Sequence, residues 1–148
     1  MSTITLTIPR SYGYVIAVGI ASAIEMGWLT LSVGAARSKA RVPYPYLYAD
    51  KEEAEKDENK HIFNCTQRAH QNTLEFYPVF TTLLLIGGLK HPELSAKAGA
   101  VFVLGRFLHA IGYRTGSVNR RVPGSVLTFG ALGTLFYTSI STARQLLE

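Results

Sequence analysis

FNCTQRAHQNTLEFYP, residues Phe63 to Pro78, sets Arg68, Asn72 and Glu75 at i, i+4 and i+7, on one face of a helix. The run continues without interruption into the apolar stretch Val79 to Leu89. A charged face has therefore been built into a helix of membrane-spanning length. Charges at such depth cost at least about 2.5 kcal/mol each on insertion scales, so an Arg and a Glu sharing a face mark a functional site inside a helix bundle.

The rest of the chain agrees with a membrane setting. It has 148 residues, of which 17% are charged, and its mean hydropathy is +0.14. The charges are clustered. From Ser11 to Ala36 the only carboxylate or basic side chain is Glu25, and from Val122 to Ala143 there is none. Each tract exceeds the roughly 20 residues needed to cross a hydrocarbon core. The length suits a single domain, residues 1–148, folded as an all-α integral membrane four-helix bundle. A secretory leader is not expected: Met1 to Pro9 carries no basic residue, the first apolar tract is too long, and no cleavage site is evident. The single cysteine, Cys65, cannot form an internal disulfide. The net charge of +5 comes with no nucleic-acid-binding motif, so no nucleic-acid partner is expected.

The predicted spans are about 12–36, 61–89, 94–113 and 124–147. Pro92 and Pro123 stand at or just before helix starts, where a missing N–H costs little. Pro43 and Pro45 fall in the first loop, and Asp50 to Lys60 reads as a solvated loop or an extension of the second span. Pro78 lies inside the second span, where it should kink the helix or free a carbonyl. Nine Lys and Arg residues fall in the first and third loops, against Arg10, Lys90, Lys97 and Arg144 on the other side. This bias sets both loops in the cytosol and both termini opposite. On that topology the sequon Asn64-Cys65-Thr66 stays unmodified.

The second and third spans are too polar to face lipid all round. The second offers Arg68, His70, Gln71, Asn72 and Glu75; the third offers Arg106, His109 and Tyr113 at i, i+3 and i+7. Arg37 ends the first span and Arg120 lies near the start of the fourth. Together they describe a basic, cytosol-facing pocket with one carboxylate, suited to a small multi-anionic ligand that also carries an ammonium group. Plainer readings stand beside this one. Arg68 and Glu75 can be a structural ion pair, Arg37 and Arg120 can meet lipid headgroups, and Tyr113 can belong to an aromatic belt. Cys65 reads as inert packing, and Glu25 as protonated or paired with Arg106. The four histidines and one cysteine lack a metal-ligand spacing, so no metal is expected.

Three segments carry a resemblance to the MAPEG family, the membrane-associated proteins in eicosanoid and glutathione metabolism. They are HIFNCTQRAHQNTLEFYP at His61 to Pro78, GGLKHP at Gly87 to Pro92, and GRFLHAIGYRTG at Gly105 to Gly116. The resemblance implies a homotrimer of four-helix bundles with glutathione, the co-substrate, held between subunits on the cytosolic side. By motif position it implies that Arg37, Arg68, Asn72, Glu75, His109 and Tyr113 bind glutathione and that Arg120 activates its thiol. His109 stands where related members carry tyrosine. Phe76 replaces a tyrosine and Ser38 a second arginine of the leukotriene-forming members.

The implied chemistry follows from the ligand. A guanidinium near the glutathione sulfur favours the thiolate electrostatically, since arginine stays protonated and is no base. The second substrate is apolar and arrives from the bilayer into a groove between the first and fourth spans. The thiolate then reduces a lipid hydroperoxide or adds to an electrophile such as an epoxide, and the loss of arginine at Ser38 tilts the expectation toward the peroxidase. Two other classes compete: a non-catalytic lipid-binding scaffold of the same family, and a small transporter, which the one-sided gathering of charge disfavours. The expected location is the endoplasmic reticulum or another organelle membrane; no retrieval signal ends the sequence.

Overall fold

The uncharged tract after Ser11 folds as α1, Tyr12–Ala40. It runs one turn beyond the expected end at Ala36, because nothing breaks the helix before Pro43 and its last turn carries Arg37 and Lys39, which complement the helix dipole. Arg41 closes it in the left-handed region at φ 54°. The computed structural model describes residues 7–148; the first part of the leader reading, residues 1–6, lies outside the described residues.

Of Asp50 to Lys60, Glu58 to Lys60 extends the second span as expected, and the rest forms a separate short helix instead of a loop. Asp50 caps a short helix, α2 (Lys51–Lys56), by accepting from the Glu52 N–H, and Asp57 caps α3 (Glu58–Gly88) by accepting from the Asn59 N–H. Two aspartates at N-cap positions explain the break. Pro78 sits inside α3, which continues through it to Gly88. α4 is Pro92–Arg114, with Pro92 in its first turn. A 3-10 turn, Val118–Arg121, leads into α5, Val122–Leu147.

α1, α3, α4 and α5 are long helices that lie where the four spans were expected. α1, α4 and the segment Val118–Leu147 are each long and apolar enough to cross a membrane. The chain is thus an all-α membrane bundle. α3, the polar one, packs on α1, α4 and α5, while α4 lies between α1 and α5 and those two share no extensive contact. The main core gathers Val15, Phe80, Leu84, Phe102, Leu132 and Leu135, with the Phe80 and Phe102 rings stacked at 4.0 Å between centroids. Two glycines set the close approach of α4 and α5 that shapes the site. A Cβ on Gly124 would run into the His109 backbone, and a Cβ on Gly112 would run into the carbonyl of Arg120. Their absence lets α5 and the 3-10 turn lie directly against α4.

Candidate functional site

On α3 the helical period brings Arg68, Asn72 and Glu75 together as expected. Arg68 grips the Glu75 carboxylate with both terminal guanidinium nitrogens, Nη1 to Oε1 at 2.6 Å and Nη2 to Oε2 at 3.4 Å. Asn72 Nδ2 donates to Oε2 at 3.1 Å. The pair is open, with side-chain exposures of 42% for Arg68 and 54% for Glu75. An ion pair this exposed contributes little to stability, so both groups can exchange partners with a ligand.

Arg106 supports this array from α4. It is 1% exposed. Its Nη2 donates to Asn72 Oδ1 at 2.9 Å and to Thr73 Oγ1 at 2.8 Å, and its guanidinium stands 5.6 Å from the centre of the Phe76 ring. Pairing of Arg106 with Glu25 does not occur. The donors of Arg106 go to Asn72 and Thr73, and Glu25 Oε1 is buried without a hydrogen-bond partner.

The loop after α1 supplies a residue that the sequence reading missed. Tyr48 donates its hydroxyl to Gln71 on α3. Burial holds this phenol above its ordinary range, with Arg68 pulling it back and Tyr113 and Glu75 pushing it further up. The loop is strapped to α3 by Asn64, whose Oδ1 accepts from the Ala49 N–H at 2.8 Å and whose Nδ2 donates to the Ala49 carbonyl at 3.0 Å. Tyr48 went unnoticed because no helical period connects it to Gln71; only the returning loop does.

Arg37 belongs to the same strap. It is 8% exposed, donates from Nη1 to the Tyr46 carbonyl at 2.6 Å, and lies over the Tyr44 and Phe63 rings at 4.6 and 4.8 Å. Within one chain it anchors the loop, its hydrogen bond and ring contacts going there rather than to Arg68 or Glu75. His109 and Tyr113 are neighbours, with ring centroids 5.6 Å apart. His109 Nδ1 meets Ser125 Oγ at 3.1 Å, leaving a buried Nε2 with no partner among the described residues. Arg121, not Arg120, covers the Tyr113 ring, at 5.3 Å. Arg120 sits on the exposed 3-10 turn that Gly112 accommodates, and its guanidinium has no hydrogen bond or ion pair among the described residues.

Cys65 is buried, 3.7 Å from His61 Nε2. Among the described residues no three His, Cys, Asp or Glu side chains are grouped for a metal. The expected groove between the first and fourth spans, α1 and α5, is not formed within one chain, since those helices barely meet. The apolar grooves that touch α1 lie against α4 instead.

Comparison with known proteins gives this arrangement its context. A model of the MAPEG family matches residues 15–141. The chain is 33% identical over 120 residues to microsomal glutathione S-transferase 2 of Homo sapiens, a match covering 80% of this chain and 74% of that protein. It is 30% identical over 120 residues to microsomal glutathione S-transferase 2 of Bos taurus, covering 80% and 75%.

Proposed function

The chain belongs to the MAPEG family, and on that premise we propose that it is a membrane-bound glutathione-dependent transferase and peroxidase. The observation that carries the reading is the open Arg68, Asn72 and Glu75 array, held in place from behind by a buried arginine. Glutathione offers two carboxylates, an ammonium group and a thiol. Arg68 is a fork for a carboxylate, and Glu75, once released from Arg68, takes the ammonium. Arg37, Asn72, His109 and Tyr113 complete the binding set. His109 brings a donor-acceptor ring, its buried Nε2 without a partner among the described residues, to a position where the resemblance implies a phenol in relatives.

The array is half-exposed in the single chain. A homotrimer covers it, with glutathione between subunits and an apolar groove formed by α1 of one chain and α5 of another. The lysine and arginine bias favours a cytosol-facing site, and the likeness to microsomal relatives favours the endoplasmic reticulum membrane over another organelle membrane. Within the family, the motif from His61 to Pro78 favours a member like microsomal glutathione S-transferase 3.

Arg120 holds the sulfur as thiolate by its charge. With a lipid hydroperoxide, sulfur attacks the terminal oxygen and the O–O bond breaks. The lipid leaves as an alkoxide that takes up the proton the thiol released. The sulfenic acid so formed condenses with a second glutathione thiol, giving the disulfide and water. With an epoxide, sulfur attacks carbon, the C–O bond opens, and the alkoxide is protonated to leave a hydroxy thioether. Ser38 offers no guanidinium to stabilise the alkoxide of an opening epoxide, which favours the peroxide reaction.

The test is glutathione-dependent turnover by the purified protein, with a lipid hydroperoxide and an epoxide offered in parallel. Faster turnover of the hydroperoxide is expected. Glutathione binding without turnover of either would replace this reading with the lipid-binding scaffold.

A further inference from the structure

The polar face of α3 does not begin at Arg68. His61, Arg68 and Glu75 follow one another at seven-residue intervals, so His61 shares their face, about 10 Å along the helix axis from Arg68. Its ring does not join the array. Nε2 donates instead to the Gly116 carbonyl at 2.9 Å, in the turn between α4 and the 3-10 segment. Cys65 Sγ, one helical turn further along α3, lies 3.7 Å from the same nitrogen.

Gly116 is shaped for this contact. Its φ of +78° lies in the left-handed region, and a Cβ there would stand 3.2 Å from His61 Cδ2. Arg120 follows four residues later. The turn is otherwise bonded to itself and its neighbours: the Gly116 N–H donates to the Tyr113 carbonyl at 3.0 Å, the Ser117 N–H to Thr115 Oγ1 at 3.3 Å, and the Arg120 N–H to the Ser117 carbonyl at 3.1 Å. The 3-10 segment packs on α4 and α5. Among the described residues, His61 supplies the one hydrogen bond from residues 115–121 to α3, the helix that carries Arg68, Asn72 and Glu75.

We propose that His61 is a positioning residue for Arg120, holding the turn that bears this guanidinium in register with the array that binds the rest of glutathione. The proposal rests on the assignment of the glutathione sulfur to Arg120. A guanidinium favours the thiolate through its charge, so its effect falls with distance. A turn released from α3 leaves the thiol less acidic while every contact of the array remains. In this role His61 touches neither sulfur nor peptide.

The full-length protein in lipid nanodiscs is compared with His61→Ala, His61→Phe, His61→Gln, Arg120→Ala and the His61→Ala/Arg120→Ala double variant. Thiolate absorbance of bound glutathione is read against pH, beside glutathione affinity and glutathione-dependent turnover. His61→Ala should make the sulfur ionise at higher pH and lower turnover about fivefold, the scale of one hydrogen bond, with affinity nearly unchanged. His61→Phe keeps a ring and loses only the donor, so it should match the alanine variant and carries the test if that variant does not fold. His61→Gln, which restores an N–H donor, should recover most of both losses. In the Arg120→Ala background, His61→Ala should change neither quantity, because its effect passes through Arg120. An unmoved thiolate titration in the alanine and phenylalanine variants, a glutamine variant as impaired as they are, or a His61→Ala effect that persists in full without Arg120 would each overturn the proposal. A titration unmoved by Arg120→Ala would overturn the assignment of the sulfur to Arg120 itself, and the proposal with it.

Discussion

Arg106 on α4 donates to the side-chain oxygen of Asn72 on α3 at 2.9 Å, and this contact sets which way the amide points. With its oxygen held by a guanidinium, Asn72 turns Nδ2 to Glu75. Arg106 is thus a positioning residue for the carboxylate that we assign to the glutathione ammonium. Arg106→Leu should weaken glutathione binding about tenfold, a loss corresponding to one charge-assisted hydrogen bond. Arg106→Lys should recover part of it. Calorimetric titration checks both, and undiminished affinity in the leucine variant would remove the positioning role.

Arg120 is the one site candidate whose guanidinium has no partner among the described residues, which leaves it free for an incoming sulfur. Arg120→Ala should lower glutathione-dependent turnover about 100-fold or more, the scale of losing a single charge-stabilising donor. Glutathione affinity should change far less. Thiolate absorbance of the bound tripeptide, read against pH, should show the sulfur ionising at higher pH in the variant. An unchanged thiolate titration would assign the activating role elsewhere, with Arg121 over Tyr113 the next candidate.

Gly112 controls where that turn lies. Its missing Cβ is the space that the Arg120 carbonyl occupies. Gly112→Val should cost about 1–3 kcal/mol through backbone displacement. It should also depress turnover although Arg120 itself is intact. Thermal unfolding and steady-state kinetics on the same preparation measure both. Full activity in a folded Gly112→Val protein would mean that the turn tolerates displacement.

Asn64 uses both ends of its amide to hold Ala49. Asn64→Ala should destabilise the protein by about 1–2 kcal/mol and expose the 42–50 loop to proteolysis, since two part-buried hydrogen bonds are lost. The same contacts engage the nitrogen that glycosylation would modify. The protein made in eukaryotic cells should therefore keep its electrophoretic mobility after glycosidase treatment, and a shift would contradict the assigned topology.

The polar face of α3 was legible because Arg68, Asn72 and Glu75 lie within one helix, where spacing alone fixes adjacency. The four long helices were legible for a related reason: uncharged tracts of spanning length have few other stable forms. Their ends were not, because Asp50 and Asp57 act as caps within a segment too short and charged for hydropathy to parse. Contacts between elements were harder still. Arg106 was read beside Glu25 yet bonds to Asn72 and Thr73, and Arg37 was grouped with Arg68 yet holds Tyr46.

By itself, then, the order of residues determined an all-α membrane chain and one charged helical face, because both follow from local periodicity and from the cost of backbone and charge in hydrocarbon. The tertiary structure alone decided which arginine supports Asn72, which one covers Tyr113, and that Glu25 is left without a partner. Those outcomes depend on how closely α4 approaches α3 and α5 and on how the 42–50 loop returns. Packing at Gly112 and Gly124 settles the approach of α4 to α5, and the clamp at Asn64 settles the return of the loop, through contacts between residues far apart in the chain.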